Sequence, residues 1–288
     1  MIRTIPLTTL LTTLSATLAA AAIDQPRREA RLLLAFSLRC RTENLLLLDQ
    51  ITQAEADSAQ NLVARRAAHE PLAYITGMAS FWSMDFAVSP ATLIPRADSE
   101  TLIEAALAQF PQRDQVRRIL DLGTGTGALL LAALREFPNA IGLGIDRIEA
   151  AARLARSNAQ TLGLAPRAQF IVADWTAPLD ASFDASFDLI LANPPYIPSA
   201  DLAGLMPEVA AHEPATALDG GPDGLDAYRA ILAALPAHLT PKGAAILEIG
   251  LGQADALTKL AVRGGFTTHI RPDLASIPRA VILTRASA

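Results

Sequence analysis

Two short stretches of this sequence hold residue types whose spacing can do chemistry. The first is Asp121-Leu-Gly-Thr-Gly-Thr-Gly127, set between an apolar run, Ile119–Leu122, and a helical pattern over Ala128–Arg135. Glycines at such a turn let the backbone bend tightly and approach a ligand, and free N–H groups at the helix start favour an anion. Gly123, Gly125 and Ala128 satisfy the G-x-G-x-x-A form of the dinucleotide fingerprint, and Asp146 ends the next strand where a ribose-binding acid belongs. The loop therefore indicates an adenosine-type cofactor and leaves NAD and S-adenosylmethionine both open. Two details favour the second. Asp121 lies two residues before the first glycine, where an acid can meet the amino group of a methionine moiety but would face a pyrophosphate unfavourably. Gly127 also falls one position early for the dinucleotide spacing, giving G-x-G-x-G.

The second stretch, Asn193-Pro194-Pro195-Tyr196, directly follows the apolar run Leu189–Ala192. It therefore sits at a carboxyl strand end, where ligands bind on open α/β sheets. Two prolines after a strand leave backbone carbonyls without ladder partners and hold them rigid. The Asn193 side-chain carbonyl and the Pro194 backbone carbonyl can both accept from one planar NH2 group, which suits an amide or an exocyclic amine and not a carboxylate. Tyr196 offers an aromatic face for that planar group. This quartet decides for the methyl donor over NAD.

The elements that must position these residues are legible from periodicity. Residues 1–75 read as helices: Leu7, Leu11, Leu14 and Leu18 recur at helical spacing with Thr between them, which favours an amphipathic helix over a secretory signal. Pro26 opens a helix carrying Ala30, Leu33, Leu34 and Leu38, and another is expected over Thr52–His69 with Ala54, Leu62, Val63 and Ala67 inward. Residues 76–96 are expected to form a β-hairpin linker, with a half-buried strand over Phe81–Val88 and an extended piece, Ala91–Ile94, between Pro90 and Pro95. Residues 97–288 alternate strand and helix: strands at Ile119–Leu122, Ala140–Ile145, Ala168–Ala173, Leu189–Ala192, Ala244–Ile249 and Ala280–Thr284, helices at Ala128–Arg135, Ala150–Leu162, Leu225–Leu239 and Ala254–Val262. That alternation predicts an α/β, Rossmann-like, doubly wound and mostly parallel sheet. Asp180–Phe183 is copied in tandem as Asp184–Phe187, a loop feature with no expected function.

Composition narrows the classes further. The chain has 288 residues, 51% hydrophobic and 18% charged, which excludes wholesale disorder. Its single cysteine, Cys40, removes an intrachain disulfide framework and any multi-cysteine metal centre. The formal charge is −5, and residues 1–95 balance eight basic against eight acidic side chains, so the excess acid lies in 96–288. No basic stripe exists to neutralise many phosphates, so a long nucleic acid is a disfavoured ligand. No run of about 20 apolar residues predicts a membrane span. There is no G-x-S-x-G elbow and no P-loop.

Together, Asp121–Gly127 and Asn193–Tyr196 resemble class I S-adenosylmethionine-dependent methyltransferases acting on planar nitrogen. More closely, the chain resembles the protein-(glutamine-N5) methyltransferases that modify peptide chain release factors. That resemblance runs from about residue 26 to the end through Glu70-Pro-Leu-Ala-Tyr-Ile-Thr-Gly77, Phe81-Trp-Ser-Met-Asp-Phe86, Leu93-Ile-Pro-Arg-Ala-Asp-Ser-Glu100 and Glu213-Pro-Ala-Thr-Ala-Leu-Asp-Gly-Gly221. Ala97 stands where Pro is usual and Ser99 where Thr is usual.

The resemblance implies S-adenosylmethionine as cofactor. Gly123, Thr124, Gly125, Thr126 and Gly127 would line its methionine part, Asp146 would bind the ribose hydroxyls, Asp174 and Trp175 would contact adenine, and Asn193 would touch both cofactor and substrate. Asn193 and Pro194 would be catalytic, with Asn193–Tyr196 holding the substrate glutamine. The helical part would dock a class I release factor and present its Gly-Gly-Gln loop. A cytoplasmic monomer without a metal is expected, because methyl transfer from a sulfonium needs neither metal nor thiol. Neighbouring chemistries are glutamine methylation of a ribosomal protein and N-methylation of an exocyclic base amine. An NAD oxidoreductase and a non-enzymatic adaptor are the readings from other classes.

Overall fold

A computed structural model describes residues 3–176, 179 and 186–286. The tandem copy therefore lies outside the described residues except at Ser186 and Phe187. The chain divides into two compact units, Met1–Met78 with Met206–His212, and Ala79–Leu205 with Glu213–Ala288.

The first unit contains β1 (Thr4–Pro6), α1 (Leu7–Ala20), α2 (Pro26–Ser37), β2 (Gln50–Thr52), α3 (Gln53–Ala67) and α4 (Leu72–Thr76). β1 and β2 pair antiparallel. Helix α1 buries Leu7, Leu10, Leu14 and Leu18; Leu10 takes the inward place expected of Leu11, which is only half-buried. Pro26 opens α2, which buries Ala30, Leu33, Leu34 and Ala35. Thr52 caps α3 by accepting from the Glu55 amide at 3.3 Å, while Glu55 Oε2 accepts from the Thr52 amide at 2.8 Å. This reciprocal arrangement satisfies two free donors at the helix start. Ala56, Ala59 and Val63 form the inward face of α3, whereas Ala54, expected inside, is exposed.

Arg66 continues that inward face and is 6% exposed. Its guanidinium donates to Glu29 at 2.6 Å and to the Glu70 carbonyl at 3.2 Å, and pairs with Glu208 at 2.8 Å. Glu208 belongs to the segment that rejoins this unit from far along the chain, so one cation fastens it to α2 and α3. Arg66→Met is expected to destabilise the unit by about 2–3 kcal/mol. Two carboxylates would lose their shared counter-charge, and their partial exposure keeps the loss below that of a fully buried pair. Urea unfolding measures it, and a change under about 0.5 kcal/mol, the scale of an ordinary surface substitution, would refute the clamp.

From the boundary into the second unit, β3 (Met78–Phe81) and β4 (Met84–Ala87) form the expected hairpin, but its turn lies inside the stretch read as one strand. Trp82 and Ser83 both take left-handed backbone angles, φ 49° and 55°, the geometry of a two-residue turn matched to strand twist. Glu100 accepts from the Trp82 amide at 2.7 Å and Glu136 from its indole at 2.9 Å, which holds this non-glycine turn in place. Ala91–Ile94 is not a strand.

The remaining elements are α5 (Glu100–Gln109), β5 (Arg118–Leu122), α6 (Ala128–Glu136), β6 (Ile141–Asp146), α7 (Glu149–Thr161), β7 (Ala168–Val172), β8 (Phe187–Ala192), α8 (Pro207–His212, counted with the first unit), α9 (Asp226–His238), β9 (Leu239–Glu248), α10 (Ala254–Arg263), β10 (Phe266–Pro272) and β11 (Pro278–Arg285). The sheet order is β10-β11-β9-β8-β5-β6-β7. β5 through β9 run parallel, while β11 is antiparallel to both β9 and β10. One face packs Ile119 and Leu189 with Phe86, Leu102, Leu130 and Phe137. The other packs Leu120, Leu122 and Ile190 with Tyr228, Ile231 and Leu257. Successive strand residues enter opposite cores, as a sheet covered on both faces requires.

Candidate active site

The chain leaves β5 towards β6 and β7, then crosses back to β8, so the sheet reverses direction between β5 and β8. Ligands bind at the carboxyl ends of strands at such a point. Register makes the placement definite. Leu122 pairs with Ile145 on one side and Ala192 on the other, and Ala192 pairs with Leu247. The next residue on each strand therefore stands in one row: Gly123, Asp146, Asn193 and Glu248.

A cleft at this row is lined by Gly123, Thr124, Gly125, Thr126, Asp146, Asp174, Trp175, Asn193 and Pro195, together with Phe81, Leu93–Arg96, Ser99 and Thr216. Nine of the expected site residues thus come together. Leu93–Arg96 is tied down by Glu213, which accepts from the Ile94 amide at 3.3 Å and pairs with Arg96.

Gly127, Pro194 and Tyr196 do not line the cleft. Gly127 caps α6 with φ 82°, and a Cβ there would meet Ala155 at 3.2 Å, so it shapes the loop by close packing. Pro194 is buried, and no described residue donates to its carbonyl. Tyr196 departs from the expected open aromatic face. Its ring packs into the second core close against Gly250, its carbonyl accepts from Gln253 at 2.8 Å, and its hydroxyl donates to Glu248 at 3.3 Å. Burial pushes that phenol up to about 12.

The glycine loop is braced from below. The Gly123 and Thr124 amides both donate to the Ile145 carbonyl at 2.9 Å. Asp146 accepts from the Gly125 amide through Oδ2 and from the Ile148 amide through Oδ1, each at 2.9 Å. Its carboxylate is thereby oriented at the cleft wall with lone pairs left over.

Asp121 lies beneath the loop, fully buried, its Oδ2 accepting from the Thr124 hydroxyl at 2.6 Å. Its Oδ1 has no hydrogen bond of normal geometry. Burial pushes this carboxyl up to about 7 against the opposing pull of Thr124. A buried acid beneath the loop, beside backbone donors and a second carboxylate oriented at the cleft wall, fits a ligand carrying an ammonium and vicinal hydroxyls, as S-adenosylmethionine does. Only ionised Asp121 attracts that ammonium. Affinity for S-adenosylmethionine is therefore expected to weaken as pH falls through about 7, and Asp121→Asn to flatten the dependence. Calorimetric titration between pH 6 and pH 8.5 checks this, and parallel curves for the two proteins would refute it.

Asn193 is the other pole of the cleft. Its Nδ2 donates to Ser99 Oγ at 3.1 Å, and no described residue engages Oδ1. Ser99 in turn bonds to Glu248. Sequence reasoning missed Ser99 and Glu248 as site residues. The available signal was Glu248 itself, the one charge within Ala244–Ile249. His212, the nearest histidine in sequence to the quartet on its carboxyl side, belongs to the first unit and interacts electrostatically with Glu70 there.

The parallel sheet with its antiparallel last hairpin, the glycine loop and the Asn193 quartet at the reversal point define a class I S-adenosylmethionine-dependent methyltransferase. A methyltransferase domain model matches residues 114–219, and a PrmC N-terminal domain model matches residues 9–77. A release factor glutamine methyltransferase of Rhodospirillum rubrum is 46% identical over 271 residues, 93% of this chain and 82% of the relative. One of Bradyrhizobium diazoefficiens is 44% identical over 275 residues, covering 93% and 91%. A solved methyltransferase of Pyrococcus furiosus shares the fold with a TM-score of 0.53 at 16% identity, covering 79% of this chain and 100% of that one. The chain belongs to the release factor glutamine methyltransferase family.

Proposed function

We propose that this protein transfers the methyl group of S-adenosylmethionine to the side-chain amide nitrogen (N5) of the glutamine in the Gly-Gly-Gln loop of class I peptide chain release factors. The observation that carries the reading is Asn193 in the cleft beside the glycine loop, its Nδ2 held by Ser99 and its Oδ1 engaged by no described residue; the Pro194 carbonyl, the next along the chain, would be the second acceptor. An amide nitrogen is a weak nucleophile because its lone pair is delocalised into the carbonyl. Two acceptors on its NH2 orient it for in-line attack and stabilise the positive charge that develops on nitrogen. The cofactor supplies an electrophilic methyl whose sulfonium charge is lost on transfer. Transfer would exchange the S–CH3 bond of the bound cofactor for an N–CH3 bond, and the amide proton would be lost after it, so the roles of Asn193 and Pro194 are to hold and orient the amide.

Residues 1–75 act as the docking domain, 76–96 as the linker and 97–288 as the catalytic domain. The match of residues 9–77 to the PrmC N-terminal domain supports a dedicated role for the first unit. So do its exposed Leu46 and Leu47, 76% and 82% accessible, because large apolar side chains left in water together mark interaction surfaces. We take the protein to work as a cytoplasmic monomer on a protein substrate.

The test is incubation with a purified class I release factor and methyl-labelled S-adenosylmethionine, followed by peptide mass mapping. A single methyl on the Gly-Gly-Gln peptide is expected. Label on a ribosomal protein, rRNA or DNA with none on that peptide would overturn the assignment.

A further inference from the structure

We infer that Ser99 and Glu248 are positioning residues that fix the Asn193 side-chain amide with Oδ1, and not Nδ2, towards the methyl-accepting nitrogen. The inference rests on the reading above, in which Asn193 receives the substrate NH2.

A serine hydroxyl has one proton to donate and lone pairs to accept with. Ser99 Oγ bonds Glu248 Oε2 on one side and Asn193 on the other, with Asn193 at 3.1 Å. An ionised carboxylate can only accept, so the Ser99 proton goes to Glu248 and Ser99 can only accept from Asn193. The group of Asn193 that meets Ser99 must then be the NH2, which leaves Oδ1 for the cleft. With the Pro194 carbonyl as the second acceptor of the reading above, this gives a site of two acceptors, matched to NH2 and repelling a carboxylate. With the amide turned over, the same site would present one donor and one acceptor, and a primary amide nitrogen would lose one of its two partners.

The surroundings of Glu248 are built to hold that direction. The side chain is 2% exposed on β9 and takes the Tyr196 hydroxyl on Oε1 at 3.3 Å. Its own backbone carbonyl accepts from Tyr228 of α9 at 2.8 Å. Arg279 of β11, which also pairs with Asp98 and Asp273, favours the ionised form, while Asp98 opposes it. Burial dominates and pushes the carboxyl up to about 7. A protonated Glu248 is itself a donor to Ser99. The Ser99 proton would then be free to turn to Asn193, and the amide could reverse. The direction of the whole relay thus depends on one ionisation.

The experiment compares wild type, Ser99→Ala, Ser99→Thr and Asn193→Ala for turnover at saturating S-adenosylmethionine, with cofactor affinity measured alongside as the check on folding. Ser99→Ala is expected to lower kcat roughly tenfold, the scale of one mis-set hydrogen bond, with cofactor Kd unchanged. Ser99→Thr, which restores the hydroxyl, is expected to recover most of that loss. In wild type kcat should fall below about pH 7, and in Ser99→Ala this acid limb should vanish, because Asn193 no longer senses Glu248. If Ser99→Ala turns over within about twofold of wild type with an unchanged pH profile while Asn193→Ala is impaired, the relay is wrong and the acceptor site stands. If Asn193→Ala keeps wild-type turnover, the acceptor site itself is wrong and the relay falls with it.

Discussion

Asn193→Ala is expected to lower turnover by about 10²–10³, the loss seen when one preorganised polar group is removed from a closed site. The size follows from what the side chain is asked to do. The nucleophile carries almost no lone-pair density on nitrogen in its resting amide, so the acceptors must act most strongly as charge appears there. Asn193 is suited to this because it does not have to reorganise. It follows Ala192, which is locked in register between Leu122 and Leu247, and the two prolines after it hold the chain rigid. Its amide is further held at Ser99. Alanine keeps the backbone path and the Pro194 carbonyl but removes one of two acceptors. The loss should therefore appear in kcat, with S-adenosylmethionine affinity changing by less than about threefold, about 0.7 kcal/mol. Single-turnover kinetics on a Gly-Gly-Gln substrate measure both, and a wild-type rate would remove Asn193 from the mechanism.

Why some of these residues were visible in the sequence and others were not has a physical basis. Strands buried on both faces read as short apolar runs, so Ile119–Leu122 and Leu189–Ala192 announce themselves, and so do the loops that follow them. Gly123–Gly127, Asp146 and Asn193 were legible for that reason: each is the next thing after a strand end. Helix α5 was not, because Thr101, Leu102, Ile103, Ala105 and Ala106 are all buried and leave no one-sided stripe. Strand β10 was missed for the opposite reason, since Phe266 is its only buried residue. The hairpin turn at Trp82–Ser83 lacks the Asn-Gly or Gly chemistry that marks such turns and is held instead by Glu100 and Glu136. Ser99 and Glu248 illustrate the general limit. Ser99 lies 94 positions from Asn193 and 149 from Glu248, and no local pattern encodes a meeting made by sheet register. Tyr196 shows the converse, a residue of the right type whose ring the fold spends on the core.

The second large effect is expected at Asp146, and it falls on the other substrate. Asp146→Ala should weaken S-adenosylmethionine binding by about 10²–10³, while kcat at saturating cofactor stays within about fivefold of wild type. Hydrogen bonds to a charged group contribute about 1.5–3 kcal/mol each, and a ribose offers two hydroxyls to one carboxylate, so losing both gives that range after some compensation by water. Asp146 also has a structural task. Its two oxygens hold the amides of Gly125 and Ile148 at 2.9 Å each, so it anchors the glycine loop to the start of α7. Asp146→Asn separates the two tasks. The amide keeps one acceptor oxygen and replaces the other with a donor, which faces a backbone N–H and cannot pair with it. If loop anchoring is the larger part, Asn should be nearly as damaging as Ala and both should lower the unfolding midpoint. If ribose binding is the larger part, Asn should recover part of the affinity and the midpoint should hold. Isothermal titration together with thermal unfolding distinguishes these. An unchanged Kd in Asp146→Ala would show that this carboxylate does not meet the cofactor, whatever the geometry of the loop it supports.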